Sequence, residues 1–473
     1  MTASSVRPAC VLAAIAMLSG CMSVATRPQT QHSARLDTSI AVLGTADGAL
    51  FSPDALPPGW WRLYDDPALN GLVETALKEN SDVRVAQANL ARAAAMLQEA
   101  QAGRRPATMV SASASAAARG GFTQDIPRDL SYALGFGVSY TLDVGGGIRH
   151  GIDAAVAGQA AAEAARDQVR VLVAAAMSRA YLSVCASSRS IAAAQRVVEV
   201  QRDTLRVTES LAYAGRGTDF DVTRARAAVM ESQALLPTLT AQRQAAHFEI
   251  AALLGRTAAD RPVTVACERP PQLGLPLPVG DGAQLLRRRP DVRQAELQVV
   301  AANALIGVAE ADLYPQISLG ASLGLAGPHA APAFGGSIGP LIAWRIPDRT
   351  VARARIAQAD ADAAAALARF DGTVLRAVME VETALSTYAQ EIDRAHSLEQ
   401  ARDDAAAAAR QATALFTFGR IDFMDVLASE AMFASAESRW AASQAQLDGA
   451  RIDVFLALGG GWELGPTHGR LQP

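Results

Sequence analysis

The chain has 473 residues, half of them hydrophobic by type, and a formal net charge of −4. That length holds about two to four ordinary domains or one large elongated one. Charge is nearly balanced and no run of Lys and Arg marks a nucleic-acid or anionic-membrane surface, so a nucleic-acid partner is set aside.

The first residues read as an address. Arg7 supplies a positive start, and Val11 to Leu18 is a short apolar core, too short to cross a bilayer as a helix. Leu18-Ser19-Gly20-Cys21 follows. This resembles a bacterial lipobox, which implies cleavage after residue 20 and acylation of Cys21. The next residue is Met22 rather than Asp, so the lipid-anchored chain is expected at the outer membrane. More than one acyl chain makes such anchoring stable. No later stretch of about 20 apolar residues is found, so no transmembrane helix is expected. Cys185 and Cys267 remain in an oxidising compartment. They could pair, or Cys185 could be a small buried residue of a helical run.

The chain repeats itself once. Asp82-Val83-Arg84 recurs as Asp291-Val292-Arg293, and Pro106 as Pro315. Gly215-Arg216 recurs as Gly419-Arg420, Asp221-Val222 as Asp425-Val426, and Leu254-Gly255 as Leu458-Gly459. These matches define repeat 1 (70–255) and repeat 2 (283–459). Between and around them lie an N-terminal segment (21–69), a linker (256–282) and a tail (460–473). Each repeat is read as helix, strand, strand, long helix, tight turn and returning helix.

In repeat 1 the first helix is expected at about 70–102 and strands at 107–117 and 131–142. In 131–142, Tyr132, Leu134, Phe136, Val138, Tyr140 and Leu142 alternate with small or polar residues, a period of two that no helix gives. The long helix is expected at 148–213, and Pro237 should kink its returning partner. In repeat 2 the corresponding expectations are a helix at 283–312, strands at 316–325 and 333–344, and a long helix at 350–416. Pro340 weakens the last strand. Val374, Val378, Val381, Leu385, Tyr388 and Ile392 are spaced alternately by four and three, a coiled-coil seam.

Each strand is about ten residues long, the length a tilted transmembrane strand needs. Four strands cannot close a barrel, since eight is the usual minimum and an open edge is not tolerated in lipid. The chain is therefore expected to oligomerise, and three copies would supply twelve strands. Two other readings compete. Gly335-Gly336-Ser337-Ile338-Gly339 fits the Gly-x-Ser-x-Gly pattern of a hydrolase, but that motif must sit between a strand and a helix, and Pro340 with an alternating pattern follows instead. A lipid-anchored, non-conducting coiled-coil scaffold explains Cys21 and the helices but not the alternating strands. The six His residues show no metal spacing, so neither cofactor nor metal is expected.

Leu285-Leu286-Arg287-Arg288-Arg289-Pro290-Asp291-Val292-Arg293, followed by Ala301-Ala302-Asn303, Ile306-Gly307-Val308-Ala309 and Tyr314-Pro315, resembles the outer-membrane factor family of TolC-like channels, especially its lipidated branch. Trp60-Trp61 with Asp65-Asp66-Pro67, and Tyr140-Thr141-Leu142-Asp143, extend the resemblance. It implies a mainly α homotrimer with a twelve-stranded transmembrane β-barrel continuous with a twelve-helix periplasmic α-barrel. It also implies a role as the exit duct of an efflux pump, a periplasmic adaptor as partner, an inner-membrane transporter of the resistance-nodulation-division type, and no enzymatic activity. Gly215 and Gly419 match small-residue tip motifs that meet the adaptor in the family. Asp221 and Asp425 match acidic positions lining the closed aperture, with Asp219, Asp422, Arg216 and Arg420 beside them. Asp219 and Asp422 could instead be N-caps of the returning helices. Two places depart from the family pattern, Gly145-Gly146-Gly147 and Ile346-Pro347-Asp348-Arg349-Thr350. Both stand where strand becomes helix.

Overall fold

The computed structural model describes residues 50–54, 56–118, 128–257, 286–328 and 333–460, with scattered positions between 265 and 280. The acylation candidate Cys21 and the leader before it lie outside the described residues.

A two-residue strand β1 (Phe51–Ser52) and a 3-10 turn (Trp60–Tyr64) precede α1 (Pro67–Glu79) and α2 (Ser81–Ala102). The single helix expected from 70 to 102 is thus broken in two. Asn80 takes an extended conformation, and its Oδ1 accepts the backbone N–H groups of Asp82 and Val83. That side chain satisfies donors a new helix leaves open, so α2 restarts there. Asp66 does the same for α1, with Pro67 at the first helical position.

Strands β2 (Ala107–Ala118) and β3 (Arg128–Leu142) follow, then α3 (Gly147–Tyr213) and α4 (Asp219–Leu253). After β4 (Leu277–Pro278), the second half runs through α5 (Pro290–Ala311), β5 (Gln316–Pro328), β6 (Ala333–Ala343), α6 (Thr350–Thr417) and α7 (Phe423–Ala457). The helix expected from 283 is interrupted as well: residues 286–288 are helical, Arg289 is extended, and α5 begins at Pro290, whose missing N–H costs nothing at the first position. Helix α4 continues through Pro237 without ending.

Helices α3 and α6 have 67 and 68 residues, or about 100 Å each at 1.5 Å per residue. Helix α3 packs against α1, α2, α4, α5 and α7. Alanine lines much of its buried side, including Ala157, Ala161, Ala164, Ala174, Ala180 and Ala193, and small side chains let long helices approach closely. One stretch of α3 is apolar enough by composition to cross a membrane, contrary to the sequence expectation, but 67% of it is buried against the other helices. It is a core segment.

The largest core lies where the helices meet the chain's irregular segments. Trp60 and Trp61 are fully buried there, and Trp60 stacks on Phe455 with ring centroids 4.7 Å apart. Phe51 sets its ring edge-on to Tyr388 of α6. Strand β1 pairs in parallel with β4, joining the N-terminal segment to the inter-repeat linker. A disulfide between Cys185 and Cys267 fastens that linker to α3. Arg289, 5% exposed, bonds the carboxylates of Asp291 and Glu380 and the carbonyl of Ala457. Trp60→Ala should cost about 3–5 kcal/mol by leaving a cavity under Phe455, read as a lowered thermal midpoint of the detergent-solubilised protein.

Candidate functional site

Two surfaces stand at opposite ends of the long helices. The first is a four-stranded antiparallel sheet in the order β2-β3-β5-β6. Its centre joins the two halves of the chain, since β3 pairs with β5. Register places Val110, Phe136, Leu323 and Gly336 in one row across the sheet, and Leu134, Leu325 and Phe334 on the same face. Val138, Ala321 and Ile338 continue it. Side chains alternate between faces along a strand, so the opposite face carries Ser111, Gly135, Gly324 and Gly335 in one row, with Met109, Gly137, Ser322 and Ser337 in the next.

The apolar face is bare. Ile338 is 89% exposed, Phe334 75% and Val110 73%. A soluble half-buried sheet covers such a face, and large bare apolar patches mark contact with a partner or a membrane. The small face is polar, with hydroxyl pairs at Ser115–Ser131 (2.9 Å) and Ser322–Ser337 (2.8 Å). Ser337 therefore lies mid-strand, facing Ser322, and not on the strand-to-helix elbow a nucleophile needs. Pro340 lies opposite Leu319 on β6, the outermost strand of the single chain's sheet.

The second surface is the tip, where α3 turns into α4 and α6 into α7. Both turns are built identically. Gly215 and Gly419 have φ of 71° and 69°, the left-handed region that suits glycine. The N–H of Arg216 reaches the carbonyl of Leu211 and that of Gly215 reaches Ala212; Arg420 reaches Leu415 and Gly419 reaches Phe416. This is the Schellman ending, which satisfies carbonyls that a helix end leaves open. The two tips lie side by side, because a Cβ on Gly419 would come within 3.9 Å of the Arg216 guanidinium.

The acidic residues divide. Asp219 is the exposed first residue of α4 and not its cap. Thr218 is the cap, its hydroxyl accepting the N–H of Asp221 and donating to the Asp221 carboxylate at 2.6 Å. Asp221 stands at the third helical position, but its carboxylate takes the Thr218 hydroxyl rather than the Thr218 backbone N–H of a capping box. Asp422 occupies the N-cap position of α7 without a side-chain bond, and Asp425 is exposed in the first turn. Arg216 and Arg420 are exposed, and among the described residues neither forms an ion pair with these aspartates within one chain.

Apolar side chains surround them, Phe418 of the tip motif and three that the sequence reading passed over. Tyr213 is 97% exposed, and Phe220, Phe418 and Met424 also stand in solvent. The signal was present in the sequence, since Phe220 and Phe418 flank the two turn motifs. Among the described residues, no cluster of three or more His, Cys, Asp or Glu is placed to hold a metal.

Residues 72–256 and 282–460 match the family model for outer membrane efflux proteins. The chain belongs to that family. It is 29% identical to nodulation protein T of Rhizobium leguminosarum bv. viciae over 86% of this chain and 85% of that one. It is 28% identical to outer membrane protein OprJ of Pseudomonas aeruginosa, over 86% of this chain and 87% of that one. The solved outer-membrane channel OprN superposes with a TM-score of 0.81 at 36% identity, covering 88% of this chain and 95% of that one. The fold is therefore that of a TolC-like outer-membrane channel, rich in helix.

Between the aromatic hub around Trp60 and Phe455 and the tip, α3 and α7 of this efflux protein are joined by a ladder that the sequence does not reveal. Arg179 pairs with Asp453, Arg189 with Asp448, Arg196 with Glu437, and the Thr204 hydroxyl donates to Glu430. Glu430, Glu437 and Asp448 are buried. Burial pushes the Asp448 carboxyl up, opposed by Arg189 and Arg451. Burial pushes the Glu430 carboxyl up as well, opposed only by the Thr204 hydroxyl. A carboxyl with a raised folded-state pKa binds its proton more tightly folded than unfolded. Stability then falls as pH rises from the ordinary value of 4.5 through the raised one. Glu430→Gln should flatten the fall of the thermal midpoint as pH rises above ~4.5, measured by thermal unfolding against pH.

Proposed function

We propose that the protein is the outer-membrane exit duct of a tripartite efflux pump, a trimer that conducts solutes passively and transforms none. The four-stranded sheet carries this reading. Its apolar face is exposed and the outer edges of β2 and β6 have no strand beside them among the described residues. Lipid tolerates the first and forbids the second. Three chains set edge to edge would close twelve strands, with apolar residues toward lipid and the Ser- and Gly-rich face lining a lumen. A non-conducting scaffold would leave Phe334 and Ile338 in water. The helical hairpins, three from each repeat position, would continue the tunnel into the periplasm. Cys21 would carry the acyl anchor.

The tip would meet a periplasmic adaptor, itself linked to an inner-membrane transporter of the resistance-nodulation-division type. Exposed Phe220 and Phe418 beside two left-handed glycine turns offer such a partner apolar contact and close backbone approach. Similarity to the efflux pump outer membrane proteins TtgC and ArpC of Pseudomonas putida supports the pump.

Each tip aspartate becomes a set of three in a trimer, and rings of acidic side chains set cation passage at a constriction. Asp221 and Asp425 would hold the aperture narrow by pairing with Arg216 or Arg420 of neighbouring subunits, since no such pair forms within the described residues of one chain. Single-channel recording in planar bilayers tests this. Asp221→Ala or Asp425→Ala should raise conductance several-fold, and unchanged conductance in both would remove the aspartates from the aperture.

A further inference from the structure

Folding gathers exposed arginines from separate segments of the chain at one level. All four strand-to-helix junctions meet at one level. Gly103, at the end of α2, lies against Ile148 at the start of α3. Gly147 is so close to Ala311 of α5 that a Cβ there would come within 2.9 Å of the Ala311 methyl. The Trp344 indole N–H, just past β6, donates to the carbonyl of Leu313 at 3.2 Å. Arg355 of α6 pairs with Asp312 at 2.5 Å.

This level carries exposed arginines that pair with none of its acids among the described residues. Arg104, Arg105, Arg149 and Arg353 are exposed, and among the described residues none of their guanidinium groups is in a hydrogen bond or ion pair. Arg349 lies over the Trp344 ring, 5.6 Å from its centre. The acids here are largely engaged. Asp143 accepts the N–H groups of Ile148 and Arg149, Asp348 that of Thr350, and Asp312 holds Arg355. His150 stands 4.0 Å from Asp153, and Glu99 and Glu310 are the remaining exposed acids nearby. Both helix starts are thus occupied by carboxylates, and the free cations are the arginines. Tyr140, Tyr314 and Trp344 are 37%, 44% and 47% exposed at the same level, and amphipathic rings of this kind favour the boundary between headgroups and water.

We infer that this collar binds the headgroups of anionic phospholipids in the periplasmic leaflet, arginines on the phosphate and acyl chains along the apolar sheet face. The inference rests on the sheet spanning the outer membrane, as proposed above. Each basic group near an anionic surface strengthens attraction, and the effect is screened by salt.

Native mass spectrometry of the delipidated, full-length protein tests it, with dioleoylphosphatidylglycerol, dioleoylphosphatidylcholine or inorganic phosphate added. The wild type should retain the glycerol lipid about tenfold or more over the choline lipid, and less so as salt rises. The variant R104Q/R105Q/R349Q/R353Q should lose that preference, while R104K/R105K/R349K/R353K keeps it. Inorganic phosphate should not compete; full competition would make this a free-anion site and overturn the lipid assignment. Equal retention of both lipids by a wild type that conducts in bilayers would overturn the collar and leave the channel standing. A Gln variant that no longer assembles would make the arginines subunit contacts and also overturn it. A wild type that neither assembles nor conducts would remove the channel reading, and the collar with it.

Discussion

Backbone amides and carbonyls along the outer edges of β2 and β6 face a choice that lipid makes severe. In water they can bond to solvent; in a bilayer each unmatched group costs several kcal/mol. The apolar face argues against the aqueous option, because side chains such as Ile338, Phe334 and Val110 are bare. The edges rule out a solitary sheet in lipid. The two constraints together demand neighbouring chains, and the rest of the proposed architecture follows from their number and placement. A sheet contributed in equal parts by two halves of the chain carries two helical hairpins beneath it, so closing the strands into the proposed barrel would close the hairpins into a tunnel.

The helical part answers a different demand, that of holding rods of about 100 Å side by side with few bulky residues. Alanine-lined contacts on α3 bring the backbones together, but they give little lateral specificity. The ladder between α3 and α7 supplies register, with Arg189–Asp448 and Arg196–Glu437 fixing which turn of one helix meets which turn of the other. Glu430 lies about 10 Å above the tip, seven residues into α7, and its buried carboxyl meets only a hydroxyl. The hub above uses large aromatics instead. There the chain must fasten a linker, an N-terminal segment and two helix ends at once, and Trp60, Phe455 and the Cys185–Cys267 bridge do so.

Legibility in the sequence followed the range of each interaction. The strands were readable because alternation is local, and Tyr132 to Leu142 repeats it six times. The tip turns were readable because Gly215 and Gly419 recur at matching places and glycine has a local reason to be there. The break at Asn80 was hidden, because an Asn inside a continuous helical run announces a cap only once its backbone is seen to be extended. Thr218 was hidden behind Asp219 for a similar reason: both can cap, and only geometry separates them. The ladder could not be read at all, since Thr204 and Glu430 are 226 residues apart and each looks like a solvent-facing helix residue. The junction arginines come from separate segments, so no window of sequence shows them as a group.

The number of chains in the particle is the quantity on which the account turns. Extraction from membranes in mild detergent, followed by mass determination with light scattering, measures it directly. The account predicts three chains of 49.3 kDa before processing and lipidation, in an elongated particle roughly 100 Å or more in length. A stable monomer would leave the edges of β2 and β6 unmatched in lipid and contradict the channel.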